Sequence, residues 1–155
     1  MTIHHPMMQN HWPQALETLI DWLVLNETLD DTAIVRRLLD ILATAPHPAL
    51  LGGLCRIDEA TIDRLLSADA PDALVLRLIG TQSGFLASRG ASGEHLVSVV
   101  LAGQSAEFSA DGSTLVRAAV CALALALAQS MQHGAPPEAA YAGLRGVPVA
   151  TATLH

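Results

Sequence analysis

From Pro13 onward, apolar residues recur at Leu16, Leu19, Ile20, Leu23 and Val24, while Glu17 and Asp21 take the opposite side. This spacing predicts an amphipathic helix over 13–26, with Pro13 in the first turn, where a missing N–H costs nothing. A second stripe, Ile34, Val35, Leu38, Leu39, Ile41 and Leu42, lies opposite Arg36, Arg37 and Asp40. It predicts a helix over 31–44, opened by Asp30 or Asp31 as the N-cap. The connection from Glu27 to Asp30 is short, so the two helices should pack antiparallel. Both have wide apolar faces, more than the rest of a small chain is expected to cover. A homodimer through 13–26 and 31–44 is therefore expected.

Residues 46–57 (PHPALLGGLCRI) hold two prolines and the Gly52-Gly53 pair, the marks of a connection around a short apolar piece. Asp58 then heads a third helix over 59–66, with Ile62, Leu65 and Leu66 inward. Segment 72–79 (DALVLRLI) fits both a strand and a helix, and Pro71 before it and Gly80 after it favour a short helix. Beyond Gly80 the texture changes to short pieces punctuated by glycine. Strands are predicted at 85–89 and 95–101, joined by a turn over 90–93, with a third at 106–110 and Phe108 packing inward. Asp111, Gly112 and Ser113 then lead into a long apolar helix, with Ser113 as its cap.

The expected fold is α+β. N-terminal helices precede a small antiparallel sheet of two or three strands, about 84–110, covered by a long buried helix, about 113–132. A length of 155 residues suits a single domain over 1–155. Residues 1–12 read as a loose arm, 137–144 as a weak helical turn and 146–155 as a flexible tail. No repeat of fixed period is present.

Composition narrows the function classes. Hydrophobic residues make up 51% of the chain and aromatic ones only 3%, so the core is largely aliphatic and offers few surfaces for stacking bases. Fifteen acidic residues face eight arginines and no lysine, and the net charge of -7 repels phosphate backbones. No nucleic-acid partner is expected. Segment 114–131 (TLVRAAVCALALALAQSM) has the apolar density of a membrane span, yet it is rich in alanine, near the lower length limit and interrupted by Arg117. It reads as a buried helix, and no membrane partner is expected. The first residues lack a basic stretch followed by an apolar run, which points to a cytoplasmic protein. Cys55 and Cys121, each among apolar neighbours, read as buried free thiols.

The candidate chemistry is sparse. His4, His5 and His11 lack the fixed spacing of metal ligands, so neither a metal nor a cofactor is expected. In 80–84 (GTQSG) the serine stands one place too late for a nucleophile elbow, and 88–93 (SRGASG) lies between two strands, where it cannot bring a helix end to a phosphate. Cys55 with His47 has only Arg56 nearby to activate a thiol. The most plausible polar groups of a ligand pocket are His95 as a base with Glu94 beside it, together with Arg89 and Arg117 to hold a carboxylate.

The run from Asp72 to Gly80 (DALVLRLIG), the strand residues 96–101, and Phe108 to Thr114 (FSADGST) leading into Arg117 to Leu123 (RAAVCAL) resemble the small phage-associated "ABA sandwich" proteins. The resemblance spans about 72–130, and the tyrosine-led middle segment of that group is replaced here by the glycine-rich hairpin. It implies an α+β sandwich and carries over no catalytic residue. The chain is thus expected to be a non-enzymatic, dimeric protein-interaction or assembly module. The alternative is a small-ligand-binding protein or hydrolase with a pocket between the helices and the sheet.

Overall fold

The computed structural model of this chain describes residues 11–132. Residues 1–10 of the arm expected over 1–12, the helical turn expected over 137–144 and the tail expected over 146–155 lie outside the described residues. In chain order the elements are α1 (Trp12–Leu25), α2 (Asp31–Ala43), a 3-10 turn (Pro48–Leu51), α3 (Glu59–Ser67), α4 (Pro71–Ile79), β1 (Gly84–Arg89), β2 (His95–Val100), β3 (Phe108–Gly112) and α5 (Leu115–Gln132). The architecture is α+β. The strands form one antiparallel sheet in the order β1-β2-β3, and α5 packs across it.

Segment 72–79, which the pattern alone left between two states, is helical. Leu74, Val75, Leu78 and Ile79 are buried together along one face, and Gly80 ends the helix at φ +70°, a region that side chains with a Cβ disfavour. Three local details differ from the sequence reading. Trp12, placed there at the end of a loose arm, is the first residue of α1 and is buried, its indole N–H donating to the carbonyl of Ile41 at 2.8 Å. A buried indole needs such an acceptor, and the C-terminal turn of α2 offers carbonyls without helical partners. The third strand begins at Phe108, opposite Val99, and runs to Gly112, opposite His95. The cap of α5 is Thr114 rather than Ser113: its hydroxyl accepts from the Arg117 N–H at 3.1 Å, and its carbonyl accepts from the Ala118 N–H at 3.2 Å.

Helix α5 is the centre of the molecule. Val116, Ala118, Ala119, Val120, Ala122, Leu123, Ala124, Ala126 and Leu127 are all buried, and its small residues let neighbours approach from both sides. On one side lie α1 and α2; on the other lie β2 and β3. Val97 and Val99 of β2 are fully buried beneath it. No helix among the described residues is long and apolar enough to cross a membrane.

The apolar stripes of the first two helices are consumed inside the chain. Leu16, Leu19 and Leu23 of α1, and Ile34, Val35, Leu38, Ile41 and Leu42 of α2, are buried in the common core. The apolar surface from which the sequence reading expected a homodimer is thus largely taken up by α5 and, for α2, by α4. The large apolar residues this pair leaves in water are Val24 and Leu25, 69% and 80% exposed at the end of α1. Arg37 of α2 lies 5.4 Å over the ring of Trp22 of α1 and closes the outer side of the hairpin.

Candidate functional site

Two places on the molecule invite a functional reading. The first is an open cleft of about 460 Å³ where the N-termini of α2, α4 and α5 meet the beginning of β2. Asp30, Asp31, Asp69 and Asp72 line it together with His95 and Thr114. The Thr114 hydroxyl donates to Asp31 Oδ1 at 2.8 Å, which joins the heads of α5 and α2. Each helix N-terminus carries partial positive charge, and three of them converge here. Carboxylates at their heads offset that charge, so helix electrostatics account for the acidic lining. Asp69 adds a local oddity, a non-glycine residue at φ 54°. Its N–H donates to the Leu66 carbonyl at 3.1 Å and the Ala70 N–H to the Leu65 carbonyl at 2.9 Å, the paired bonds of a Schellman ending for α3.

Of the four residues expected in a pocket, the structure brings His95 to this cleft. Arg89 stands directly across from His95 on β1 and is exposed, and Glu94 is exposed in the turn just before β2. Arg117 is not among the residues lining the cleft. It is buried, and its guanidinium donates to the carbonyls of Leu23 at 2.6 Å and Asn26 at 2.8 Å, capping the C-terminal end of α1. Cation and helix terminus are matched there, since C-terminal carbonyls carry partial negative charge. No group of three His, Cys, Asp or Glu side chains among the described residues is arranged to hold a metal ion.

The cysteines differ from their sequence reading and from each other. Cys55 is exposed, in the connection after the 3-10 turn, whereas Cys121 on α5 is half-buried. Burial pushes the Cys121 thiol up from its ordinary value, with a smaller contribution from the charge of Asp111. Ser83, from the rejected elbow, has a structural task. Its buried hydroxyl donates to the Gly53 carbonyl at 2.7 Å and accepts from the Ala102 N–H at 3.1 Å, tying three loops together.

The second place is the face of the sheet turned away from α5. Side chains alternate across a sheet, so Phe85, Ala87 and Arg89 share the helix side with His95, Val97 and Val99. The other face presents Gly84, Leu86 and Ser88 on β1, Leu96, Ser98 and Val100 on β2, and Ser109 and Asp111 on β3. No described element covers it. Leu86 is 67% exposed and Leu96 48%, and the Ser98 and Ser109 hydroxyls bond each other at 2.6 Å in the open. Eight side-chain positions thus carry one charge, Asp111, on a chain with net charge -7. Sequence reasoning assigned these strands but not the bare face, because the alternation of Leu86 and Leu96 shows only that they point away from Val97 and Val99. Compared with protein-family models, curated proteins and solved structures, the chain matches none.

Proposed function

We propose that this chain is a non-enzymatic protein-interaction module that works through the uncovered face of its sheet. One observation carries the reading: two leucines and a valine stand on a face whose centre is free of charge, while on the opposite face Val97 and Val99 are buried under α5. Apolar patches of this kind mark contact surfaces, and depletion of charge at their centre is the compositional sign of an interface. The likeness to phage-associated sandwich proteins over 72–130 is compatible with such a role and adds no site residue. The alternative of a small-ligand protein or hydrolase is weaker. It keeps His95 in the cleft, while the carboxylates around it answer to three helix termini and Arg117 is engaged elsewhere.

The test is a photo-crosslinking residue placed at Leu86 or Leu96, with Glu17 and Asp63 as exposed control positions. In the cells that make the protein, the face positions should give a discrete adduct of one mass that the controls do not give. Equal adducts from all four positions, or none from the face, would remove the basis for the reading.

A further inference from the structure

Building on that interaction reading, we infer that the occupant of the outer sheet face is a basic amphipathic helix of a partner protein. Size is the first reason. Three strands at ordinary spacing, five to six residues long, make a platform of roughly 14 Å by 18 Å. That is about 250 Å² in plan, well short of the ~800 Å² per partner that a stable dimer buries. A single helix is about 10 Å across and covers 18 Å in about 12 residues, so one helix fills the platform.

Charge is the second reason. The apolar positions Leu86, Leu96 and Val100 lie on β1 and β2, and the acidic ones lie at the rim. Asp111 stands on β3 on this face, exposed Glu107 immediately precedes β3, and exposed Glu94 immediately precedes β2. The nearest basic residue in these strands, Arg89, belongs to the other face by alternation. A helix whose apolar stripe rests on the leucines therefore meets carboxylates along the β3 side, which matches lysine or arginine flanking the stripe. A second copy brings the same carboxylates and a further net charge of -7, so like charge opposes self-association on this face.

The experiment is a titration of the isotopically labelled chain, followed by amide shifts, with three synthetic peptides. One carries a leucine stripe flanked by lysine, one the same stripe flanked by glutamate, and one the lysine composition with the stripe scrambled. The lysine-flanked stripe peptide should shift Leu86, Leu96, Ser98 and Ser109, and the other two should bind at least tenfold more weakly. Glu107→Gln with Asp111→Asn should weaken that binding at least fivefold. Glu17→Gln with Asp63→Asn removes the same charge elsewhere and should change it less than twofold. Leu86→Ser with Leu96→Ser should abolish it, and because these side chains are exposed the fold should be retained, as dispersed amide spectra would show. If that pair unfolds the chain, the charge variants still decide. Equal binding of the glutamate peptide overturns the basic-helix inference while leaving the face as an interaction site. Shifts confined to Asp31, Asp72 and Thr114 overturn the location. Shifts of the face on concentrating the chain alone overturn the choice of partner in favour of a second copy.

Discussion

The guanidinium of Arg117 reaches the carbonyl oxygen of Leu23 at 2.6 Å, across 94 residues of sequence. With a second bond to Asn26 at 2.8 Å, it fastens the first turn of α5 to the last turn of α1. Arg117→Met keeps much of the apolar stem but leaves those carbonyls without the guanidinium. A destabilisation of about 2 to 4 kcal/mol is expected from urea unfolding, because buried acceptors lose charged donors. A change within about 0.5 kcal/mol, the range of ordinary surface substitutions, would show that the contact is incidental.

Gly112 touches the same turn from the sheet. A Cβ built there would lie 2.9 Å from the Ala118 backbone nitrogen and 3.2 Å from the Arg117 side chain. Gly112→Ala should therefore cost about 1 to 3 kcal/mol by overpacking, since backbone cannot step aside as a side-chain end can. A melting temperature equal to that of the parent chain would show that β3 and α5 can separate freely.

Asp69 occupies the left-handed position of the α3 ending, where glycine has no Cβ penalty. Asp69→Gly is expected to stabilise the chain by about 0.5 to 1 kcal/mol in denaturant titration. Loss of stability instead would mean that the carboxylate contributes more than its backbone conformation costs.

The two thiols should separate kinetically. Exposed Cys55 is expected to alkylate at least tenfold faster than Cys121 at pH 8, read by mass spectrometry of peptides. The folded state favours the neutral form of Cys121, because burial raises its pKa. Its contribution to stability is complete below the unfolded thiol value of about 8.5 and is lost as pH rises through the folded value. Cys121→Ser should flatten this alkaline decline, and an unchanged slope would assign the decline to other groups.

At acid pH the sign reverses for Asp58, at the N-cap of α3. Thr61, facing it one turn on, is the main cause that holds the Asp58 carboxyl below the usual range, and Arg64 adds to the effect. Its contribution is present above the unfolded value of about 3.9 and fades as pH falls through the lower folded value. Asp58→Asn should make stability less sensitive to pH in that window, measured by denaturant midpoints; an identical acid profile would exclude Asp58 as a contributor.

Light scattering of the chain at micromolar concentration should return a mass near 16.3 kDa, the monomer. The stripes of α1 and α2 are spent against α5, and the outer sheet face is small for a stable dimer. A mass of twice that value would support the dimer expected from the helical stripes.

Much of the fold was legible because the chain obeys its periods. Leu16, Leu19 and Leu23, and Leu74, Val75, Leu78 and Ile79, fall where a helical face needs them, and Gly80 stops the helix where it should. What periodicity could not give was who covers whom. The stripes of α1 and α2 looked surplus because α5, apolar all round, gave no sign of offering one side to them and the other to the sheet. Trp12 looked loose because its partner, the Ile41 carbonyl, is 29 residues away. The acidic cleft was hidden for the same reason. Asp30, Asp31 and Asp72 read as ordinary helix heads until packing brought three heads together. Arg117 could be recognised as unusual in an apolar run, but not as a cap for a helix at the other end of the chain.

The position of α5 also has a consequence for synthesis. Its residues are the wall against which α1, α2, β2 and β3 bury their side chains, yet they leave the ribosome after all of those elements. A nascent chain that has reached β3 has its helices and strands in order but no centre to gather around, and the Leu23 and Asn26 carbonyls wait for an arginine not yet made. Such a chain should close its core only after translation has passed α5, with its leucines exposed until then.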